Sequence, residues 1–413
     1  MILLLGMGKG NTSVKKYLKK NNINFITFDD SDTEKNINIF EENNIQMIIK
    51  SNGISNDHMF LEKAKKYNIK VISDLQFYYN ISNIKNYILV TGSNGKTTIV
   101  SLLEKCLKNS VAIGNNGLPL FDYIDDEKYK ILEVSSFMLE KCNYIKYKYN
   151  IISNIYPTHL EHHKTFINYI KAKLSFLKFL SINDYVIYND DDLILNRIIN
   201  CYDCNKINVS LKNKKSTVHL HDNFIYYLNN KIMAIENVNL LGLHNIYNIM
   251  LVIGAIFNHK LLKENYIDEI INFKGVEYRM EIVYNNEIKI INDSKSTNFK
   301  ALNEALNSIN DKLTLIVGGK KREDNYSILI NNINKLNIVY CYGENKNDFY
   351  EFFKENGVNC FKYDTLNDVI NNMENNSKII LFSPGSVSYD QFRNFEERGK
   401  IFNQLIKNKY NFN

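Results

Sequence analysis

The sequence predicts an α/β protein built from three doubly wound units, and three observations carry that expectation. Short apolar runs of strand length alternate with helix-like stretches along almost the whole chain. Several of these runs end abruptly on glycine or short polar residues, where open parallel sheets bind ligands. One such exit, Thr91-Gly92-Ser93-Asn94-Gly95-Lys96-Thr97-Thr98, lies between an apolar run and a helix-like run, the setting of a phosphate-binding loop.

The first unit is expected over 1–84. Met1 to Gly6 reads as a buried parallel strand, followed by the turn Gly6-Met7-Gly8-Lys9-Gly10-Asn11 and a helix to Lys20. Asn24 to Phe28 is a second strand ending at Asp29-Asp30, and Gln46 to Lys50 is a third, leading into Ser51-Asn52-Gly53-Ile54. The glycine-rich turn fits either a nucleotide pyrophosphate or a merely tight strand–helix connection. The second unit, 85–276, begins with the strand before Thr91. Lys130 to Glu133, Ile151 to Asn154 and Asp184 to Tyr188 read as its further core strands. From Ile207 to Glu236, short strand-like pieces separated by Asn and Lys predict a small antiparallel sheet. The third unit, 277–413, has strands at Ile288 to Asn292, Leu313 to Val317, Ile338 to Tyr342 and Ile379 to Phe382.

Composition narrows the class. A chain of 413 residues exceeds one ordinary core, and 45% hydrophobic with 23% charged residues is the balance of a globular protein. The net charge of +6 is spread over scattered lysine pairs, which reads as solvated faces rather than a nucleic-acid surface. No run approaches the ~18–20 apolar residues of a membrane span. Met1 to Leu5 is too short and too soon interrupted for a signal sequence. Six cysteines form no disulfide framework, so a cytoplasmic protein with no membrane partner is expected. Cys201-Tyr202-Asp203-Cys204 reads as a reduced pair rather than a zinc site.

Chemistry concentrates at the strand exits. In the loop, Gly92 and Gly95 let backbone N–H groups turn toward phosphate oxygens, Lys96 reaches the outer phosphates and the Thr97 hydroxyl suits Mg²⁺. The general pattern G-x-x-x-x-G-K-S/T wants glycine where this chain has Val90. Glu133 ends a strand and fits either a Mg²⁺ ligand or a helix-capping acid. His159 follows a strand and Pro157, and reads as a cation ligand, a substrate contact or a structural histidine, while His162 and His163 read as surface residues. Lys173 lies in a helix, where a lysine is by default a solvated charge. Asn245 and Asn248 are one helical turn apart, suiting one shared ligand or simple capping. Arg279, the string Asn292 to Asn298 and the string Ser383 to Phe392 bring short polar side chains to the third unit, for carboxylate, ribose and phosphate or for structural turns.

Taken in order, these strings resemble the Mur ligases of bacterial cell-wall synthesis. That family's loop reads T-G-S/T-N-G-K-T-T, which accounts for Val90. Further matches are Gly114-Asn115-Asn116-Gly117-Leu118-Pro119, Glu133 to Glu140, Asn154 to Leu160, Tyr169 to Lys173, Gly242 to Asn248, Asn292 to Asn298 and Ser383 to Gly399. The last is similar to the D-glutamate-adding branch. The resemblance implies an ATP-dependent amide-forming ligase that activates a carboxylate as an acyl phosphate for attack by an amine. Its substrates would be UDP-N-acetylmuramoyl-L-alanine and D-glutamate, its cofactors ATP and Mg²⁺ (two ions), and its state a monomer.

By the same resemblance, Lys96, Glu133, His159 and Lys173 would be catalytic, with Thr97, Glu133, His159 and a CO₂-carbamylated Lys173 as metal ligands. Gly92, Asn94, Gly95, Lys96, Thr97, Thr98, Asn245, Asn248, Arg279 and Asp293 would bind ATP. Gly8, Asp29, Asn52, Asn115 and Ser135 would serve the nucleotide-sugar substrate, and Lys295, Thr297, Lys321, Ser388 and Phe395 the amino acid. The chain departs from the family at Thr158, where Asp is usual, and at Asn116, where Ile is usual. Gly318-Gly319-Lys320-Lys321-Arg322 replaces a G-G-x-x-K string, so Lys321 or Arg322 would take that lysine's place. A sibling Mur ligase, a folylpolyglutamate synthase-like enzyme and a nucleotide-binding regulator are the rival readings.

Overall fold

The computed structural model describes residues 1–30, 39–82, 87–115, 118–240, 242–257, 259–321, 325–374 and 377–411. Asn116, Gly117, Arg322 and the expected boundary at 84 lie outside the described residues. The chain divides into two compact units, Met1–Phe273 and Lys274–Asn413. The first carries two sheets and the second carries one, as the α/β expectation requires.

The N-terminal sheet consists of β1 (Ile2–Leu5), β2 (Phe25–Phe28), β3 (Met47–Lys50) and β4 (Lys70–Ser73), all parallel, in the order β2-β1-β3-β4. Leu3 and Leu5 pack with Ile48 and Phe60 on one face, whereas Leu4 packs with Val14 and Ile72 on the other. Covering both faces is what makes β1 a continuous apolar run rather than an alternating one. In the helix Lys9–Lys20 that follows, Asn11 is buried, and its Nδ2 donates to the carbonyls of Leu5 (3.2 Å), Gly6 (2.8 Å) and Ile49 (3.0 Å). One amide thus pins the glycine turn to the ends of β1 and β3.

The central sheet has nine strands: β5 (Ile88–Thr91), β6 (Ser110–Gly114), β7 (Tyr129–Glu133), β8 (Tyr149–Ile152), β9 (Tyr185–Asn189), β10 (Asn205–Ser210), β11 (Val218–His221), β12 (Phe224–Tyr227) and β13 (Asn230–Ala234). Their order is β13-β12-β11-β10-β9-β8-β5-β7-β6. The separate antiparallel sheet expected from Ile207 to Glu236 is not formed. Instead β10 and β11 extend the central sheet in parallel, and only β12 and β13 turn back antiparallel. The helix Leu243–Ile256, buried along nearly its whole length, packs over β9, β10 and β11 and covers that extension. A sheet edge with an apolar helix to cover it need not stand apart.

The third sheet has β14 (Glu281–Asn285), β15 (Lys289–Asn292), β16 (Leu313–Gly318), β17 (Leu336–Tyr342), β18 (Asn359–Tyr363) and β19 (Ile379–Phe382) in the order β14-β15-β19-β16-β17-β18. Only β14 runs antiparallel. Alternate residues feed two cores: Leu315, Val317 and Val339 on one side, Ile316, Ile338 and Tyr340 on the other. All six cysteines are free thiols, and among the described residues no helix is long and apolar enough to cross a membrane.

Replacing Asn11 by Ala would remove the donor shared by three carbonyls, of which Leu5 O keeps the N–H of Ser51. Denaturant unfolding should register a loss of about 1–3 kcal/mol, whereas a loss below 0.5 kcal/mol would mean that water replaces the amide.

Candidate active site

Backbone geometry fixes the phosphate-binding loop. Gly92 has φ +145° and Gly95, which precedes the helix Lys96–Cys106, has φ +86°. A Cβ at Gly92 would come within 1.9 Å of Ser153 Oγ, and one at Gly95 within 2.4 Å of Asn248 Oδ1. Neither place admits a side chain. The exit of β8 staples the loop: Ser153 N donates to Thr91 O (3.0 Å), Ser93 N to Asn154 O (3.0 Å) and Asn94 N to Asn154 Oδ1 (2.9 Å). Lys96 Nζ folds back onto the carbonyls of Gly92 (2.8 Å) and Ser93 (3.0 Å). Thr97 is buried in the first helical turn and Thr98 is half-buried behind it.

Glu133 emerges beside this loop because β7 lies between β5 and β6, with Val90 and Gly114 as its register partners. Its side chain is buried. Oε1 accepts from Asn115 Nδ2 at 3.0 Å, and Oε2 has no hydrogen-bond partner among the described residues. The capping alternative for Glu133 fails. Ser135 caps the following short helix, accepting from Met138 N at 3.3 Å, so its hydroxyl is engaged structurally.

Lys173 is not the solvated charge that its helix position predicts. It is 2% exposed, and its Nζ lies 2.8 Å from Gly92 O, 3.5 Å from Thr91 Oγ1 and 5.1 Å from the Tyr169 ring centroid. Burial, and then the neighbouring charge of Lys96, push its pKa well below the ordinary lysine range, against a smaller opposing effect of Glu133. A buried oxygen on Glu133, the Thr97 hydroxyl and an amine whose pKa burial lowers form a set that fits a hard divalent cation once the amine carries a carboxylate-like group.

The histidines divide differently from expectation. His159 is exposed, has φ +54°, and its ring lies 5.1 Å from that of Phe137. His162 and His163, read from sequence as surface residues, are drawn inward because Phe137 packs at 4.5 and 5.6 Å from their rings. His163 is 4% exposed and bonds Ser136 Oγ at 2.9 Å, while His162 lies 2.9 Å from Glu140 Oε2.

A cavity of about 270 Å³ lies at the strand ends of the N-terminal sheet and brings Gly8, Asn52 and Asn115 together. Asp29 is not among the lining residues; it accepts a hydrogen bond from Met7 N, next to Gly8 in the turn. Sequence reasoning missed Asp74 in this cavity, whose carboxyl is pushed up to about 6 by burial. Behind the phosphate loop, Asn245 Oδ1 accepts from Asn248 Nδ2 at 3.1 Å. The helix they share is preceded by Gly242 with no side-chain cap, so capping does not explain either amide.

In the second unit, β15 and β19 deliver two loops side by side. Ser383 Oγ donates to Asp293 Oδ2 at 2.8 Å, and Met280 N donates to Oδ1 at 3.2 Å. Burial pushes the Asp293 carboxyl up to about 7, opposed by Ser383 and then by Arg279. Lys295 Nζ lies 5.8 Å from the Phe395 ring centroid, Thr297 is half-buried, and Ser388 is buried with its carbonyl closing a turn onto Gln391 and Phe392. Lys321 is exposed and pairs with Asp348 at 2.8 Å. The sequence assigned no role to Arg398, yet it is fully buried. Its guanidinium donates to Ser294 Oγ (3.0 Å), Ser294 O (2.7 Å) and Ser386 O (2.8 Å). The arginine in the Ser383 to Gly399 string was the only available signal.

A nucleotide loop with a buried carboxylate and a buried lysine beside it defines a class of phosphoryl-handling enzyme, and comparison with known proteins gives the family. The Mur ligase middle domain matches residues 90–256. UDP-N-acetylmuramoylalanine–D-glutamate ligase of Oenococcus oeni is 31% identical across 99% of this chain and 97% of its own length. Its counterpart in Prochlorococcus marinus is also 31% identical, across 100% and 97%. Among solved structures, the UDP-N-acetylmuramate–alanine ligase MurC of Thermotoga maritima matches with a TM-score of 0.60 and 16% identity, over 98% of this chain and 99% of that one. MurF of the same organism, solved with ADP, matches at 0.55 and 15%, over 99% and 95%. The chain belongs to the Mur ligase family and is a ligase.

The Asp293 carboxyl makes a pH prediction. Its folded pKa of about 7 lies above the unfolded value, so its contribution to stability is full below about pH 4 and disappears as pH rises through about 7. Asp293→Asn should flatten the unfolding free energy across that window; an unchanged pH profile would exclude Asp293 as its source.

Proposed function

We propose that this protein joins D-glutamate to the L-alanyl carboxyl group of UDP-N-acetylmuramoyl-L-alanine at the expense of ATP. The observation that carries the reading is the convergence of Lys96, Glu133 and Lys173 on one glycine loop, in a chain similar along its whole length to ligases of that name.

A carboxylate is a poor electrophile, so its oxygen must first take the terminal phosphoryl group of ATP. The loop N–H groups receive phosphate oxygens, and Lys96 exchanges the Gly92 and Ser93 carbonyls for the outer phosphates. Lys173, its pKa lowered by burial, would bond the carbon of CO₂ through its unprotonated amine and release a proton to solvent, leaving an anionic carbamate. Thr97, Glu133, His159 and that carbamate would hold two Mg²⁺ ions, which supply charge neutralisation to the phosphoryl group. Asn115 holds Glu133 by one oxygen and keeps the other free. Gly8, Asn52 and Asn115, with Asp29 behind them, receive the nucleotide sugar. Asn94, Thr98, Asn245, Asn248, Arg279 and Asp293 serve ATP, and Lys295, Thr297, Lys321, Ser388 and Phe395 serve D-glutamate, whose amine displaces phosphate to leave an amide. Domains at 1–84, 85–276 and 277–413, a monomeric state and a cytoplasmic location complete the reading.

The test is ADP release with UDP-N-acetylmuramoyl-L-alanine and a panel of amino acids. Stimulation by D-glutamate alone is expected. Stimulation by another amino acid would make the chain a sibling ligase, and none by any would make it a regulator. Lys173→Ala should lose about 10²- to 10³-fold in kcat and be partly rescued by acetate; full activity without rescue would overturn the carbamate.

A further inference from the structure

Away from the phosphate loop, Glu140, His162 and His163 bring one carboxylate oxygen and two imidazole nitrogens within 4.8 Å of one another. We propose that these three side chains form a second metal site, for a borderline divalent ion of the Zn²⁺ class rather than for Mg²⁺. The inference does not depend on the ligase reading.

The donor chemistry sets the choice of ion. Two imidazoles and one carboxylate suit a tetrahedral ion that keeps its fourth position open, whereas Mg²⁺ prefers oxygen ligands and octahedral geometry. Bonds of ~2.0–2.2 Å place tetrahedral donors roughly 3.3 Å apart. His162 Nε2 and Glu140 Oε2, at 2.9 Å, stand closer than that and would have to part by a few tenths of an ångström to admit the ion. His163, whose Nε2 now bonds Ser136 Oγ at 2.9 Å, would have to close in from a separation of up to 4.8 Å. Phe137 packs on both imidazoles and limits their rotation.

One contact at the cluster sets donor against donor. His162 Nε2 must carry a proton to bond Glu140 Oε2, yet Asn56 Nδ2, itself a donor, faces the same nitrogen at 3.4 Å. Turning the Asn56 amide over would put its oxygen against Glu140 Oε1, which Nδ2 now contacts at 3.1 Å. Asn56 Oδ1 is meanwhile buried with no partner among the described residues. A cation removes the conflict. The lone pair of His162 Nε2 and Glu140 Oε2 both turn to the metal, and Asn56 Nδ2 keeps Glu140 Oε1 as an orienting contact. The cluster opens onto a cavity of about 570 Å³ that Lys164, Lys171 and Lys178 also line, so a fourth ligand there would be an anion or water held between the ion and these ammonium groups.

Asn56 belongs to the loop after β3, whereas Glu140 and the histidines follow β7 and β8. Through Asn56, a bound ion would fasten the loop that carries Asn52 to the central sheet.

The test is titration of the metal-stripped full chain with Co²⁺ in a large excess of Mg²⁺, followed by visible absorption. One equivalent should give the intense bands of a four-coordinate ion, which Zn²⁺ abolishes. His162→Ala and Glu140→Gln, each verified as folded by melting temperature, should lose the bands, and His159→Ala should retain them. Asn56→Ala should weaken Co²⁺ binding by roughly 10- to 100-fold, a readout that stands if His162→Ala fails to fold. The proposal is overturned if no band appears at one equivalent, if the bands survive both Glu140→Gln and His162→Ala, or if they depend on His159 instead.

Discussion

The carbonyl of Gly92 is the point on which the candidate active site depends. It accepts from Lys96 Nζ and from Lys173 Nζ, each at 2.8 Å. Burial first, and then the charge of Lys96 on the same acceptor, hold the Lys173 pKa well below the ordinary lysine range. The shape of the loop and the lowered pKa of the lysine are therefore linked. That carbonyl is aimed by a backbone conformation open to glycine, with Ser153 packed where a side chain would go. The strand order β8-β5-β7 does the rest, setting the exits carrying Ser153, Gly92 and Glu133 side by side.

Buried groups in this protein fall into two kinds. Arg398 is fully buried and fully engaged, donating to three acceptors, and so serves as structure. Glu133 is equally buried but keeps one oxygen without a donor. Leaving such an acceptor unmatched costs on the order of 1–3 kcal/mol, a sacrifice that stability alone does not explain. The same contrast separates Ser135, occupied as a helix cap, from Lys173, whose amine is held among oxygens and an aromatic ring.

What the sequence discloses follows what its residues can do locally. β16 and β19 are legible because burial on both faces makes them unbroken apolar runs. The edge strands β14 and β18 are not, since none of their residues is fully buried and no apolar run results. The phosphate loop is legible because its geometry demands glycine. The burial of Lys173 is invisible at a helix position that normally faces solvent, and only the family resemblance singled it out. His163 was misread because Phe137, 26 residues earlier, is what covers it. Arg398 escaped notice for the same reason, its acceptors lying 12 and 104 residues away.

Arg398 carries a mechanical consequence. One guanidinium holds Ser294 and Ser386, and the Ser383–Asp293 bond joins the same two loops a second time. Loops cross-braced twice cannot adjust one side chain at a time. They shift as a single plate or not at all. Any ligand received at this end of the third sheet would therefore meet a stiff template, and a substitution in either loop should be felt across both.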